Sequence, residues 1–170
     1  MIEAKLLNSH SQDIDTVFKL YEYSFPENER MDKKFLLRDD IEEKEILAFY
    51  EDNVFFGFCM LLSYKNITHI LYFATIPSIR NKGYGSKILE YLQSFKPNNS
   101  ILADIEKPNI DNDQRTRRKE FYLRNSFKES NVEYTWQDEA YEIVYVGKEL
   151  NNEIFWGFWN YFMHYFRGDK

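Results

Sequence analysis

A single mixed α/β domain is the fold class this sequence predicts, and three observations predict it. Apolar residues switch repeatedly between the period of two expected of strands and the i, i+3, i+4 spacing of helices. The segments follow one another as β-α-α-β-β-β-α-β-α-β-β, with no internal repeat, linker or low-complexity stretch between them. A chain of 170 residues, 44% of them hydrophobic, is long enough to bury one proper core.

"MIEAKLL" opens the chain as a strand. "SQDIDTVFKLYEYSF" places Ile14, Val17, Phe18 and Tyr21 on one helical stripe behind an acidic first turn, and Pro26 stops it. "FPENER" is a polar connection, and "MDKKFLLRDDIEE" is expected to be a second helix. "EILAFYED" and "VFFGFCMLLSY" form two strands joined at "EDN", a hairpin turn, and "ITHILYFATIP" is a third β-rich run closed by Pro77. Beyond it, Ile88, Tyr91, Leu92 and Phe95 repeat the helical stripe until "KPNN". "SILADIE" is a short strand, "RTRRKEFYLRNSF" a helix, and "VEYTWQ" with "YEIVYVGKEL" a closing hairpin.

Composition narrows the chemistry. A net charge of −6 argues against a general nucleic-acid binder and suits cationic partners such as amines. A single cysteine, Cys59, sits in an apolar run and reads as a buried core thiol, since one Cys cannot build a disulfide framework. The three histidines lie far apart in sequence, so no Cys/His cluster has metal-ligand spacing and no metal is expected. The opening "MIEAKLLNSH" lacks a charged n-region followed by an apolar run, which leaves a soluble cytoplasmic protein as the expectation.

The stretch "IRNKGYGSKI" is either a turn that simply needs two glycines or a place built for a ligand. A strand that runs through a glycine turn into a helix exposes unpaired N–H groups at the positive end of the helix dipole, a place that suits phosphate. Gly83 and Gly85 carry no Cβ to keep an anion from the amides and tolerate positive φ, and Arg80 and Lys82 add charge at the same mouth. The stretch has neither the P-loop pattern nor the dinucleotide-binding G-x-G-x-x-G.

"FATIPSIRNKGYGSKIL" resembles the acetyl-coenzyme A signature of the GNAT (GCN5-related N-acetyltransferase) superfamily, in which a strand precedes Arg/Gln-x-x-Gly-x-Gly/Ala and a helix. "RRKEFYLRNSF" is similar to that family's later helix ending in Phe-Tyr-x-x-x-Gly-Phe, with Phe121, Tyr122 and Phe127 in place. Two separated motifs on the expected elements make the resemblance specific, and it covers roughly residues 1 to 148. It implies one mostly antiparallel twisted sheet flanked by helices over residues 1–150. It also implies an acetyl-CoA co-substrate held by Phe73, Ala74, Thr75, Arg80, Asn81, Lys82, Gly83, Tyr84, Gly85 and Ser86. Two positions depart from the pattern. Ser126 stands where the family usually has Gly, and Arg115 stands where many relatives carry an Asn for the pantetheine arm.

The activity the resemblance implies is acetyl transfer to an amine of a small molecule or peptide. Main-chain N–H groups at Phe73 to Thr75 would support the thioester carbonyl. Tyr122 would give its proton to the departing sulfur, a role its ordinary pKa of about 10 allows; a tyrosine packed in the core is the competing reading. Glu106, closing its strand, would take the amine's proton or bind the ammonium; a solvated strand-end carboxylate is the competing reading. Glu27 and Glu29 are acceptor-site candidates beside a plain surface reading. Arg115, Arg117, Arg118 and Lys119 read as a solvated helix face. The alternative function is a non-catalytic module that senses acyl-CoA.

Residues 151–170 lie beyond the family core. "IFWGFWNYFMHYF" is apolar nearly all round, so water cannot be its surroundings. It is too short to span a membrane. The expectation is a helix packed on the parent domain or on a second subunit, which makes a homodimer one possible assembly. His164 there reads as packed, not catalytic.

Overall fold

The computed structural model describes residues 1–111 and 113–166; the last four residues of the expected C-terminal segment lie outside the described residues. Among the described residues, seven strands and five α-helices follow one another along the chain. They are β1 (Ile2–Leu7), α1 (Ile14–Ser24), α2 (Lys33–Leu36), β2 (Lys44–Glu51), β3 (Val54–Tyr64), β4 (Ile67–Thr75) and α3 (Tyr84–Phe95). Then come β5 (Ser100–Glu106), α4 (Asp113–Arg124), β6 (Lys128–Trp136), β7 (Glu139–Val146) and α5 (Asn152–Phe166). This is the mixed α/β class expected. The chain divides into two compact units: Met1–Ser63 with Ile70–Pro97, and Tyr64–His69 with the chain from Asn98 onward.

In the first unit the strands run in the order β1-β2-β3-β4. Asp52 and Asn53 both take positive φ between Glu51 and Val54, the two-residue turn that matches strand twist, so the "EDN" hairpin forms as read. Strand β3 is buried along most of its length because helices cover both of its faces. Phe58 meets Tyr21 of α1, while a Cβ on its neighbour Gly57 would stand 3.2 Å from Ile88 of α3. Adjacent strand residues point to opposite faces, so α1 and α3 lie on opposite sides. Cys59 is fully buried there, and burial pushes its thiol pKa well up, as suits a core residue.

The second expected helix is much shorter than its sequence suggests. Asp32 caps it by accepting from the Lys34 N–H at 2.9 Å, but α2 ends at Leu36. Beyond it the Asp39 carboxylate accepts from the Ser9 N–H at 3.0 Å and from the Ser9 hydroxyl, and Arg38 grips Asp40. Side chains that satisfy other backbone groups compete with the helix and end it.

In the second unit the order is β5-β7-β6. Gln137 and Asp138, both at positive φ, turn β6 into β7. Helix α5 packs its Phe155, Phe158 and Phe162 inward, with Phe155 stacked near Tyr134 of β6 and Tyr161 stacked on Tyr64 at 3.7 Å. Trp156 and Ile154 stay exposed. Among the described residues no helix is long and apolar enough to cross a membrane.

Candidate active site

The glycine turn sits at the end of β4 in the first unit. Asn81 and Gly83 take left-handed φ values of 67° and 86°, whereas Gly85 lies within the first turn of α3. Of the two motif glycines, then, only Gly83 uses the freedom at φ that glycine offers. No side chain caps the first turn of α3 and no acidic residue lies in it, so its N–H groups and dipole are left for an outside anion. A Cβ on Gly83 would meet nothing within 4 Å, so the space before the amides is open.

Side chains around this turn hold the main chain in place. The Arg80 guanidinium folds back and donates to the Thr75 carbonyl at 3.1 and 3.2 Å, pinning the strand end, while Lys82 is exposed. Tyr84 donates to Glu51, whose other oxygen lies 3.4 Å from Lys87, and that bond from Tyr84 is the main reason the Glu51 carboxyl sits below its ordinary pKa. Gly57 was not expected to matter here. A Cβ on it would lie 2.7 Å from the Ala74 carbonyl and 3.3 Å from the Thr75 Cα, so β4 approaches β3 this closely only where that position is glycine.

Glu27 and Glu29 bracket a short 3₁₀ turn in the same unit. Glu27 is exposed, and Glu29 is half-buried, its carbonyl accepting from the Tyr72 hydroxyl at 2.8 Å. The Met31 N–H is shared between the Tyr72 and Tyr21 phenol oxygens at 2.7 and 3.0 Å. Two buried tyrosines therefore fix the turn that carries these carboxylates.

The second unit carries the remaining predicted residues. Tyr122 is 6% exposed. Burial raises its phenol pKa above the ordinary value; Arg118 opposes the rise and the Asp104 carboxylate adds to it. Ser126 takes φ 74°, the left-handed position the family gives to Gly. The Phe127 N–H reaches the Tyr122 carbonyl at 3.1 Å and the Ser126 N–H reaches Leu123 at 3.3 Å, a Schellman end to α4. The Tyr122 and Phe127 rings, 5.2 Å apart, make its apolar contact.

Glu106 ends β5 in an ion-pair cluster. Arg115 lies 2.6 Å from one of its oxygens and Arg118 3.3 Å from the other, and Arg115 also reaches Glu139 at 3.0 Å. Lys119 bridges Glu142 at 2.6 Å and Glu129 at 2.8 Å. Three of the four basic residues read as a solvated helix face thus pair with carboxylates of the second unit's strands. Two residues before Glu106, on the same strand face, Asp104 accepts from His69 and from the Tyr134 hydroxyl, and the Trp159 indole donates to His69 Nδ1 at 3.1 Å. No expectation covered this array. Its one signal is a charged residue inside the apolar run "SILADIE", which asks for buried partners.

A groove of about 760 Å³ along α5, lined by Tyr64, Lys148, Glu153, Ile154 and Tyr161 among others, contains none of the predicted site residues. Among the described residues no group of three His, Cys, Asp or Glu side chains is gathered for a metal ion.

The arrangement is that of an acyl-CoA N-acyltransferase fold, seven strands with an uncapped helix after the fourth. The family model for "Acetyltransferase (GNAT) family" matches residues 14–127, and the chain belongs to that family. Among solved structures it is similar to a protein assigned to the GNAT family from Bacteroides thetaiotaomicron, with a TM-score of 0.80 and 24% identity over 95% of this chain and 96% of that one. It is also similar to the ribosomal-protein-S18-alanine N-acetyltransferase from Escherichia coli, with a TM-score of 0.66 and 15% identity over 90% and 97% of the two chains. A GNAT family acetyltransferase from Elizabethkingia anophelis with acetyl-CoA bound matches at a TM-score of 0.59 and 12% identity, over 86% and 98%. Among curated protein sequences none matches.

Proposed function

We propose that this chain transfers the acetyl group of acetyl-CoA directly to an amine of a small molecule or peptide. The observation that carries this reading is the first turn of α3, with left-handed Gly83 before it, no capping side chain and no acid in the turn. Its N–H groups hold the pyrophosphate, with Asn81, Lys82, Gly85 and Ser86 beside them. The strand end at Phe73, Ala74 and Thr75, pinned by Arg80, pairs with the pantetheine arm and supports the thioester carbonyl as charge develops on its oxygen. A similar fold solved with acetyl-CoA bound supports acetyl-CoA as the co-substrate.

Tyr122 protonates the departing thiolate, and its raised pKa keeps it in the acid form at neutral pH. Glu106 accepts the amine's proton only when Arg115 and Arg118 release it, because each of its oxygens is engaged by a guanidinium. Glu27 and Glu29 offer negative charge to the acceptor. The Glu106 ion pairs favour a second reading, a module that binds acyl-CoA without catalysis.

Acetyl-CoA-dependent thiol release over a panel of amines, run beside calorimetry with acetyl-CoA, tests both readings. Binding heat together with free CoA in the presence of at least one amine is the expected outcome. A melting temperature raised by acetyl-CoA without CoA release from any amine replaces the enzyme with the sensor. No binding at all removes both.

A further inference from the structure

Asp104 differs from the other carboxylates of its strand face in what holds it. Its side chain is only 25% exposed, yet both donors on its oxygens are neutral groups. The protonation of His69 follows from its partners. An indole N–H can only donate, so the Nδ1 that receives it carries no proton; Nε2 therefore holds the hydrogen and gives it to Asp104. A second proton on His69 would set two donors against each other. Tyr134 takes the other carboxylate oxygen through its hydroxyl. Among the described residues no Lys or Arg pairs with Asp104, whereas Glu106, on the same strand face, is held by two arginines. Each Asp104 oxygen keeps a lone pair beyond the one already used.

A partly exposed carboxylate held by neutral donors alone keeps its charge available to a cation from outside. A lone carboxylate offers too few ligands for a divalent metal. An ammonium group, with three donors and a full charge, suits it. The placement also fits, because Asp104 lies two residues before Glu106 on the same face of β5.

We propose that Asp104, and not Glu106, receives an ammonium group of the acceptor, and that Trp159 acts through His69 as a positioning residue that keeps this carboxylate free of internal cations. The proposal rests on the acetyltransferase reading for its acceptor. It adds that α5, which lies outside the matched residues 14–127, is a working part of the site.

Two measurements on the full chain saturated with CoA test it without turnover. Nitrogen-15 NMR of the imidazoles is expected to find His69 only as the Nε2–H form in the wild type and as a mixture of tautomers in Trp159→Phe. Calorimetry with methylamine, putrescine and trialanine is expected to find at least one amine whose affinity falls about tenfold in Asp104→Asn and about fivefold in Trp159→Phe. CoA affinity in both variants should stay within about twofold of wild type, which shows that they are folded. Amine affinity unchanged in Asp104→Asn, no amine bound by the wild type, or a proton on His69 Nδ1 each overturns the proposal. If amines bind through Asp104 but acetyl-CoA releases no CoA, the ammonium site stands and the acetyltransferase reading falls. If CoA is released equally by wild type and Asp104→Asn, the acetyltransferase reading stands and the ammonium site falls.

Discussion

Two parts of this molecule carry the candidate chemistry, and they are built from different material. Around Gly83 the working groups are consecutive main-chain N–H donors, and side chains such as Arg80 and Tyr84 only brace them. Around Asp104 and Glu106 the working groups are side chains from β4, β5, α4, β6 and α5. A main-chain site tolerates almost any residue except where backbone conformation requires glycine. A side-chain array can be retuned by a single atom, so under the proposed function acceptor preference can change there while the acetyl-CoA site stays put.

Tyr122→Phe should produce the largest effect. If the phenol protonates the leaving sulfur, kcat should fall about 100-fold, since a general acid contributes on the order of 10²–10⁴-fold, with acetyl-CoA affinity unchanged. The same variant has a stability signature. Burial raises the folded pKa of the phenol, so its contribution is complete below the unfolded value of about 10 and is lost as pH climbs past it. Melting temperatures above that pH should therefore fall less steeply in Tyr122→Phe than in the wild type. An unchanged kcat would move Tyr122 from the chemistry into the core.

Gly83→Ala acts on the other part and should be milder. With nothing near the new methyl, the cost is backbone strain at φ 86° and not a clash, about 1–2 kcal/mol in chemical denaturation. Acetyl-CoA affinity measured by calorimetry should drop about tenfold, because the methyl stands where the anion approaches. A variant that binds acetyl-CoA normally would place the pyrophosphate elsewhere.

The contrast between the two parts also decides what could be read in advance. The turn around Gly83 was legible because its parts are consecutive in sequence: a strand, glycines, then an apolar helical stripe. The strands and four of the helices were legible for the same reason, since periodicity is local. Helix α2 was overestimated because Ser9, some 30 residues away, captures Asp39. The pairing of Glu106 was hidden likewise: "RTRR" looks like a solvated face until β5 supplies the Glu106 carboxylate. His69 was set aside for its distance from other histidines, yet its partners are an aspartate 35 residues on and an indole 90 residues on.

The smallest expected effect tests a departure from the family at the end of α4, next to Tyr122. Ser126 occupies the left-handed position of a Schellman turn, where a Cβ crowds the following carbonyl. Glycine removes that strain and adds freedom to the unfolded chain, so Ser126→Gly should stabilise the fold by about 0.5–1 kcal/mol in urea denaturation with the denaturant slope unchanged. Because the same turn sets the Tyr122–Phe127 contact, activity should hold if the serine is merely a tolerated substitution. If stability rises while kcat drops, the strained turn is helping to aim the phenol, and a position that looks like an imperfect cap belongs to the site.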